Sequence, residues 1–228
     1  MSPKVIWSST FDGDNIRFEE PHLVLVEGGD DQALIAAMIR HEGLSNFRVH
    51  NMFGTSSWTA RFGAIAKQLD FRTNVKSVGL LKDADNNPDG AWESCRAALI
   101  NSGLPAPFEP SVLAGAEICT AIMIAPSRSE LGAIEELCLR SFDAGRITCV
   151  DGYFACLAGH SPNLNQAKGY VQAYLAGLRS APRDLAVACN RNLINMGHTA
   201  FDEVRTFVRA LAFCTVDTVA NVDPIEKI

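Results

Sequence analysis

The stretch that most limits what this chain can fold into is His22-Leu-Val-Leu-Val-Glu-Gly-Gly-Asp-Asp31. Leu23 to Val26 read as a short buried strand, and the residues after it as an acidic, glycine-rich turn. A helix is expected at once, over about residues 31–41, closed by Gly43. A strand that delivers carboxylates to its C-terminal end, just before a helix, is where open α/β sheets bind ligands. Ser77-Val-Gly-Leu-Leu-Lys-Asp-Ala-Asp85 is a second acidic strand end far downstream. The function of the chain turns on whether those two ends meet.

The rest of the chain supports that frame. Further strands are expected over residues 47–52, 75–81 and 116–125, with helices over 58–69 and 91–101 and another entered after Ser127. Residues 1–20 are polar and mixed, with room for an edge strand or hairpin and a turn at Asp12-Gly-Asp14. Thr55 to Ser57 offer hydroxyls that would cap the helix after them. The alternation of strand and helix predicts an α/β fold, a mostly parallel sheet with helices on both faces. After about Asp143 the pattern turns helical, over 151–159, 166–179 and 199–213. The expected organisation is an α/β core over 1–145 and a helical C-terminal extension over 146–228 packed on it.

With 47% apolar residues among 228, a substantial core is available. A net charge of −6 argues against a basic coat for nonspecific nucleic-acid binding, but not against a nuclease, whose carboxylate ligands count toward the total. The first half is acidic and residues 160–213 are locally basic, which suits an ion site beside a phosphate-facing surface or ordinary surface variation. The seven cysteines form no C-x-x-C pair and read as buried reduced thiols. The five histidines are isolated from one another. No apolar run approaches the ~20 residues of a membrane span, and the N-terminus lacks a secretion pattern. A cytoplasmic protein without membrane contact is expected.

Three acidic clusters fall at strand ends or helix starts: Glu27 with Asp31, Asp83 with Asp85, and Glu135 with Glu136. On an extended chain the alternate side chains of Asp83 and Asp85 point the same way, so they can grip one hard cation or bridge two. Mg²⁺ and Mn²⁺ prefer such oxygen donors. The structural alternative for each cluster is a helix N-terminus, where acids are favoured anyway. Lys168 opens a helical pattern and is either a surface residue or a cation for charge developing on a phosphate. The chain has no G-K-[S/T] phosphate loop and no G-x-S-x-G elbow, which speaks against ATP hydrolysis and serine-based acyl chemistry.

Val-Glu27-Gly followed by Asp83-Ala-Asp85 resembles the signature of the Toprim domain, shared by topoisomerases, primases, RecR-type recombination proteins and nucleases of the OLD family. Over about residues 22–213 the chain is similar to the stand-alone Toprim-like proteins grouped as DUF3226. The features that carry this are Leu-Val-Glu-Gly-x-Asp-Asp, Lys-Asp-Ala-Asp, Ile-Met-Ile-Ala-Pro with Gly132-Ala-Ile-Glu135, Ala167-Lys168, and His198-Thr-Ala-Phe201. The resemblance implies a Rossmann-like Toprim fold and a Mg²⁺- or Mn²⁺-dependent nuclease acting on DNA or RNA. It implies Glu27, Asp31, Asp83, Asp85 and Glu135 as metal ligands, with Glu27, Asp83, Asp85 and Lys168 as the catalytic set. It also implies an effector controlled by a separate ATPase, in phage defence for example, or by homo-oligomerisation. The alternative is a non-catalytic module binding nucleic acid or a protein partner. The chain is too small for a topoisomerase's tyrosine domain and DNA gate.

Overall fold

A computed structural model describes residues 5–8, 17–52, 54, 58–158 and 166–214. The Asp12-Gly-Asp14 turn and the Thr55–Ser57 cap expected from sequence lie outside the described residues. The chain forms a Rossmann-like α/β fold around a five-stranded sheet in which every pairing is parallel. The strands are β1 (Val5–Ser8), β2 (His22–Val26), β3 (Phe47–Asn51), β4 (Ser77–Asp83) and β5 (Cys119–Ala125), in spatial order β1-β3-β2-β4-β5. From β2 the chain moves to one side, to β3, and then returns to the other side as β4. The sheet therefore has its switch point between β2 and β4, and the crevice outside their C-terminal ends is where such sheets bind ligands.

Both faces of the sheet are covered, which is why its strands read as apolar runs without clean alternation. Val24 and Val26 of β2 and Leu81 of β4 face a layer of α1 (Gly29–His41), α5 (Ile134–Ser141), α7 (Gln166–Ala176), α8 (Leu185–Asn190) and α9 (Asp202–Ala212). Leu23 and Leu25 of β2 and Val78 and Leu80 of β4 face the other layer. That layer holds α2 (Trp58–Ile65), α3 (Leu69–Asn74) and α4 (Pro88–Asn101). The remaining helix, α6 (Ala144–Leu157), packs against α7 and buries only Val150 and Phe154.

Several boundaries differ from the sequence expectation, each for a tertiary reason. The single helix expected over 58–69 is two, α2 and α3, because Gln68 is extended and turns the chain. The turn seats Phe71 edge-on against Phe18, with ring centroids 5.6 Å apart, and lets Asp70 accept the Phe18 N–H at 2.8 Å. Strand β4 starts later than expected and runs on through Lys82 and Asp83, paired to β5 along its whole length. Helix α6 starts earlier, where Asp143 caps it by accepting the Arg146 N–H at 2.9 Å. Helix α8 was not anticipated. It is capped by Asp184, which accepts the Val187 N–H at 2.7 Å, and it lies against α1.

The expectation of seven reduced thiols is corrected. Cys119, at the start of β5, and Cys214, just past α9, form a disulfide across 95 residues, with their Cα atoms 6.2 Å apart. They meet because α9 crosses the face of β4 and β5. Of the free thiols, Cys95, Cys138 and Cys189 are buried, while Cys149 and Cys156 are exposed. No helix among the described residues is long and apolar enough to cross a membrane.

Gly79 is what lets α9 lie so close. A Cβ built there would stand 2.5 Å from Leu211 Cδ1 and 2.5 Å from Phe207 Cζ, both fully buried. Overpacking a core of this density costs about 1–3 kcal/mol. We expect Gly79→Val to lower the thermal midpoint, and calorimetric scans of the two proteins check it. An unchanged midpoint would mean that α9 is not held against β4.

A carboxylate site at the switch point

Pairing of Leu25 with Leu80 sets β2 and β4 in register, so the next positions bring Glu27 beside Lys82 and Gly28 beside Asp83. Two acidic strand ends some 50 residues apart in sequence thus meet at the sheet's edge. The alternation of side chains then separates them. Glu27 and Lys82 continue the face of Leu25 and Leu80, toward α2 and α4. Asp83 continues the face of Leu81, toward α1 and α5.

Four of the carboxylates have definite partners. Glu27 Oε1 lies 2.5 Å from Lys82 Nζ, in a pair with side-chain exposures of 11% and 13%. Asp31 is buried in the first turn of α1 and accepts the Gly28 N–H at 2.8 Å, which is half of a capping box. Asp83 Oδ1 accepts the Ile134 N–H at 3.2 Å, tying the end of β4 to the start of α5. Glu135 is buried, and Lys168 Nζ reaches to 3.9 Å from its Oε1 from the first turn of α7. Asp85 departs from expectation. Its φ of +46° takes it out of the strand, so its side chain does not repeat the direction of Asp83. It is exposed, and its backbone exchanges hydrogen bonds with Gly132 at 2.7 and 2.9 Å. Gly132 has a φ of +120°, and a Cβ there would run into the Glu136 carboxylate at 2.6 Å. Glu136 itself accepts the Ala133 N–H at 2.7 Å, so its role is to cap α5.

Asp83, Asp85, Glu135 and Lys168 line a cleft of about 650 Å³, with exposed Leu131 at its lip. The electrostatics of this cleft are those of an anion cluster. Burial pushes Asp83 up to about 9, helped by the negative charges of Asp31, Glu135, Glu27 and Asp85. Burial likewise raises Asp31 to about 7, against the lowering effect of its hydrogen bond from Gly28 and with the charges of Glu135 and Glu27 adding to it. Glu135 is raised chiefly by burial, and Lys168 works in the opposite direction. Such perturbation in a cleft marks a candidate functional site.

The donor chemistry, carboxylate oxygen throughout, fits a hard divalent cation. The side chains as they stand are not converged on one point: among the described residues no three His, Cys, Asp or Glu form a group ready to hold a metal ion. The partners named above account for this, since Glu27, Asp31, Asp83 and Glu135 are each turned to a backbone N–H or a lysine. Sequence reading singled out Glu27, Asp31, Asp83, Asp85, Glu135 and Lys168, and all six lie around the crevice. It missed Lys82, which was visible one residue before Asp83, at the alternate position that must face the other side of the sheet.

The raised aspartates predict how the stability of the protein responds to pH. A carboxyl whose folded pKa lies above its ordinary value binds its proton more tightly in the fold than in the unfolded chain. Stability contributed this way is present in acid and is lost as pH rises from the ordinary 3.8 through the folded values of about 7 and about 9. Thermal midpoints measured in EDTA should fall between pH 5 and pH 9, and Asp83→Asn should flatten that fall. Parallel profiles for wild type and variant would contradict the clustering of charge described here.

No curated protein and no solved structure matches the chain. A family model does match, over residues 21–213, from the start of β2 through α9 and including every residue of the crevice. That family is described as a protein of unknown function, and the chain belongs to it: it is a member of DUF3226.

Proposed function

We propose that this protein is a Mg²⁺- or Mn²⁺-dependent nuclease that hydrolyses phosphodiester bonds of DNA or RNA, built on a Toprim-type site like that of the OLD nucleases. The observation that carries the reading is the meeting of Glu27, Asp31, Asp83 and Glu135 at the switch point. There burial and mutual repulsion make the carboxylates costly to ionise without a partner, and a divalent cation would be that partner. In this reading Asp31, Asp83 and Glu135 hold the cation from the α1 and α5 side, Glu27 completes the set from β2, and Asp85 faces the open cleft. Cations held there activate a water and stabilise the leaving oxygen of a phosphodiester. Lys168, on a helix packed against α5, supplies a positive charge to the phosphoryl oxygens. Control by a separate ATPase, as in phage-defence effectors, and self-association belong to the same proposal.

One observation favours a second reading, a non-catalytic module that binds nucleic acid or a protein partner. Glu27 is already paired with Lys82 and is not turned toward the other carboxylates. The two readings part in one assay.

Plasmid, single-stranded DNA and total RNA are incubated with Mg²⁺, Mn²⁺ or EDTA. The nuclease reading expects metal-dependent cleavage that Asp83→Ala and Glu27→Ala abolish. It expects Lys168→Ala to slow cleavage by about 100-fold, the scale of removing one transition-state charge stabiliser. Cleavage that survives both acid substitutions, or that persists in EDTA, would end it. Metal-independent binding of nucleic acid without turnover would establish the module instead.

A further inference from the structure

We infer that Lys82 is the cation that holds Glu27 apart from the other carboxylates, and that a divalent ion assembles the site by displacing Lys82 from Glu27. The inference rests on the metal-site reading above and adds to it what controls the site's assembly.

The geometry follows from the sheet. Glu27 and Lys82 are neighbours on adjacent parallel strands and lie on the same face, whereas Asp83 leaves β4 on the opposite face. Their contact is short, at 2.5 Å, and both side chains are largely withdrawn from solvent. An ion pair in such surroundings is screened far less than a surface pair, so the ammonium competes in earnest with an incoming cation. Lys82 is also confined, because its Nζ stands 5.7 Å from the ring centre of Trp58, which is itself buried. Glu27 nonetheless lies close enough to act on Asp83 and Asp31 through its charge. A change in the Glu27 side chain, with no movement of the strands, would turn it from Lys82 toward them. Lys82 therefore acts as a positioning residue: it neutralises Glu27 when no divalent ion is bound and sets the cation concentration at which Glu27 joins the other carboxylates.

The test is binding, not cleavage. EDTA-stripped full-length protein is titrated with Mn²⁺, with free ion read by electron paramagnetic resonance and heat by calorimetry. Lys82→Met, which removes the competing charge but keeps the stem, should bind Mn²⁺ about fivefold tighter or more, a modest share of the interaction of adjacent charges. Lys82→Arg should not bind tighter than wild type, and Glu27→Gln added to Lys82→Met should erase the gain. Equal or weaker binding by Lys82→Met, with wild type still binding, overturns this inference and leaves the metal site standing. No Mn²⁺ binding by either protein overturns both. A second measurement covers the case in which Lys82→Met does not fold. Wild-type protein is labelled with an amine-reactive reagent with and without Mg²⁺, and each lysine is quantified by mass spectrometry. Labelling of Lys82 should rise severalfold with Mg²⁺ while exposed Lys67 and Lys76 stay constant. Unchanged Lys82 labelling at a Mg²⁺ concentration that saturates the calorimetric signal would likewise overturn the inference.

Discussion

The parallel pairing of β2 with β4 is the constraint on which everything else in this molecule depends. Leu25 against Leu80 is an ordinary buried contact, but it sets the register two positions further on. There the chain has no apolar residue to continue with. It must place Glu27, Lys82 and Asp83 at one sheet edge, with Asp31 arriving on the helix that leaves β2. Carboxylates brought together under a partly buried edge are costly to ionise: burial raises Asp31 and Asp83 first, and the neighbouring negative charges add to it.

The molecule contains the repulsion locally. Asp31 spends a lone pair on the Gly28 N–H and so caps α1 while contributing to the cluster. Asp83 takes the Ile134 N–H and anchors α5. Two lysines stand on opposite sides of the sheet edge, Lys82 against Glu27 and Lys168 against Glu135. Not every acid nearby belongs to the cluster's chemistry. Asp30 accepts the Ala186 N–H at 3.0 Å and secures α8, and Glu136 caps α5. An acid at a helix start is thus a poor guide by itself, since capping and ligation use the same residues at the same place.

The C-terminal helices complete the site as much as they cover the sheet. Helix α9 fills the groove left by Gly79, and Glu42 at the end of α1 takes both Arg205 and Arg209 of α9. This bracket and the Cys119–Cys214 bridge hold the end of the described chain to α1 and β5. Helices α7 and α8 pack on each other, α7 also on α5 and α8 on α1, and this packing delivers Lys168 to Glu135. Their apolar residues, Val171, Leu175, Leu185 and Ala188, lie in the same core as β2 and β5.

Much of this was legible in the residues. The apolar runs with acidic ends and the alternation of strand and helix are local patterns, and they pointed to a parallel α/β sheet with carboxylates at its edge. Strand and helix periodicities are set by the backbone and can be read without knowing any partner. What the sequence left open was everything that depends on a contact across the chain. The break between α2 and α3 needs Phe18 as a partner for Phe71, α8 needs Asp30, and the disulfide needs α9 to cross β5. The left-handed turn at Asp85 needs Gly132 opposite. Above all, strand alternation already sends Lys82 and Asp83 to opposite faces, and only the sheet decides what each meets there, Glu27 for the lysine and the charge of Asp31 for the aspartate. Which charges attract and which repel is a matter of distance, and distance between residues 55 apart is decided by tertiary structure alone.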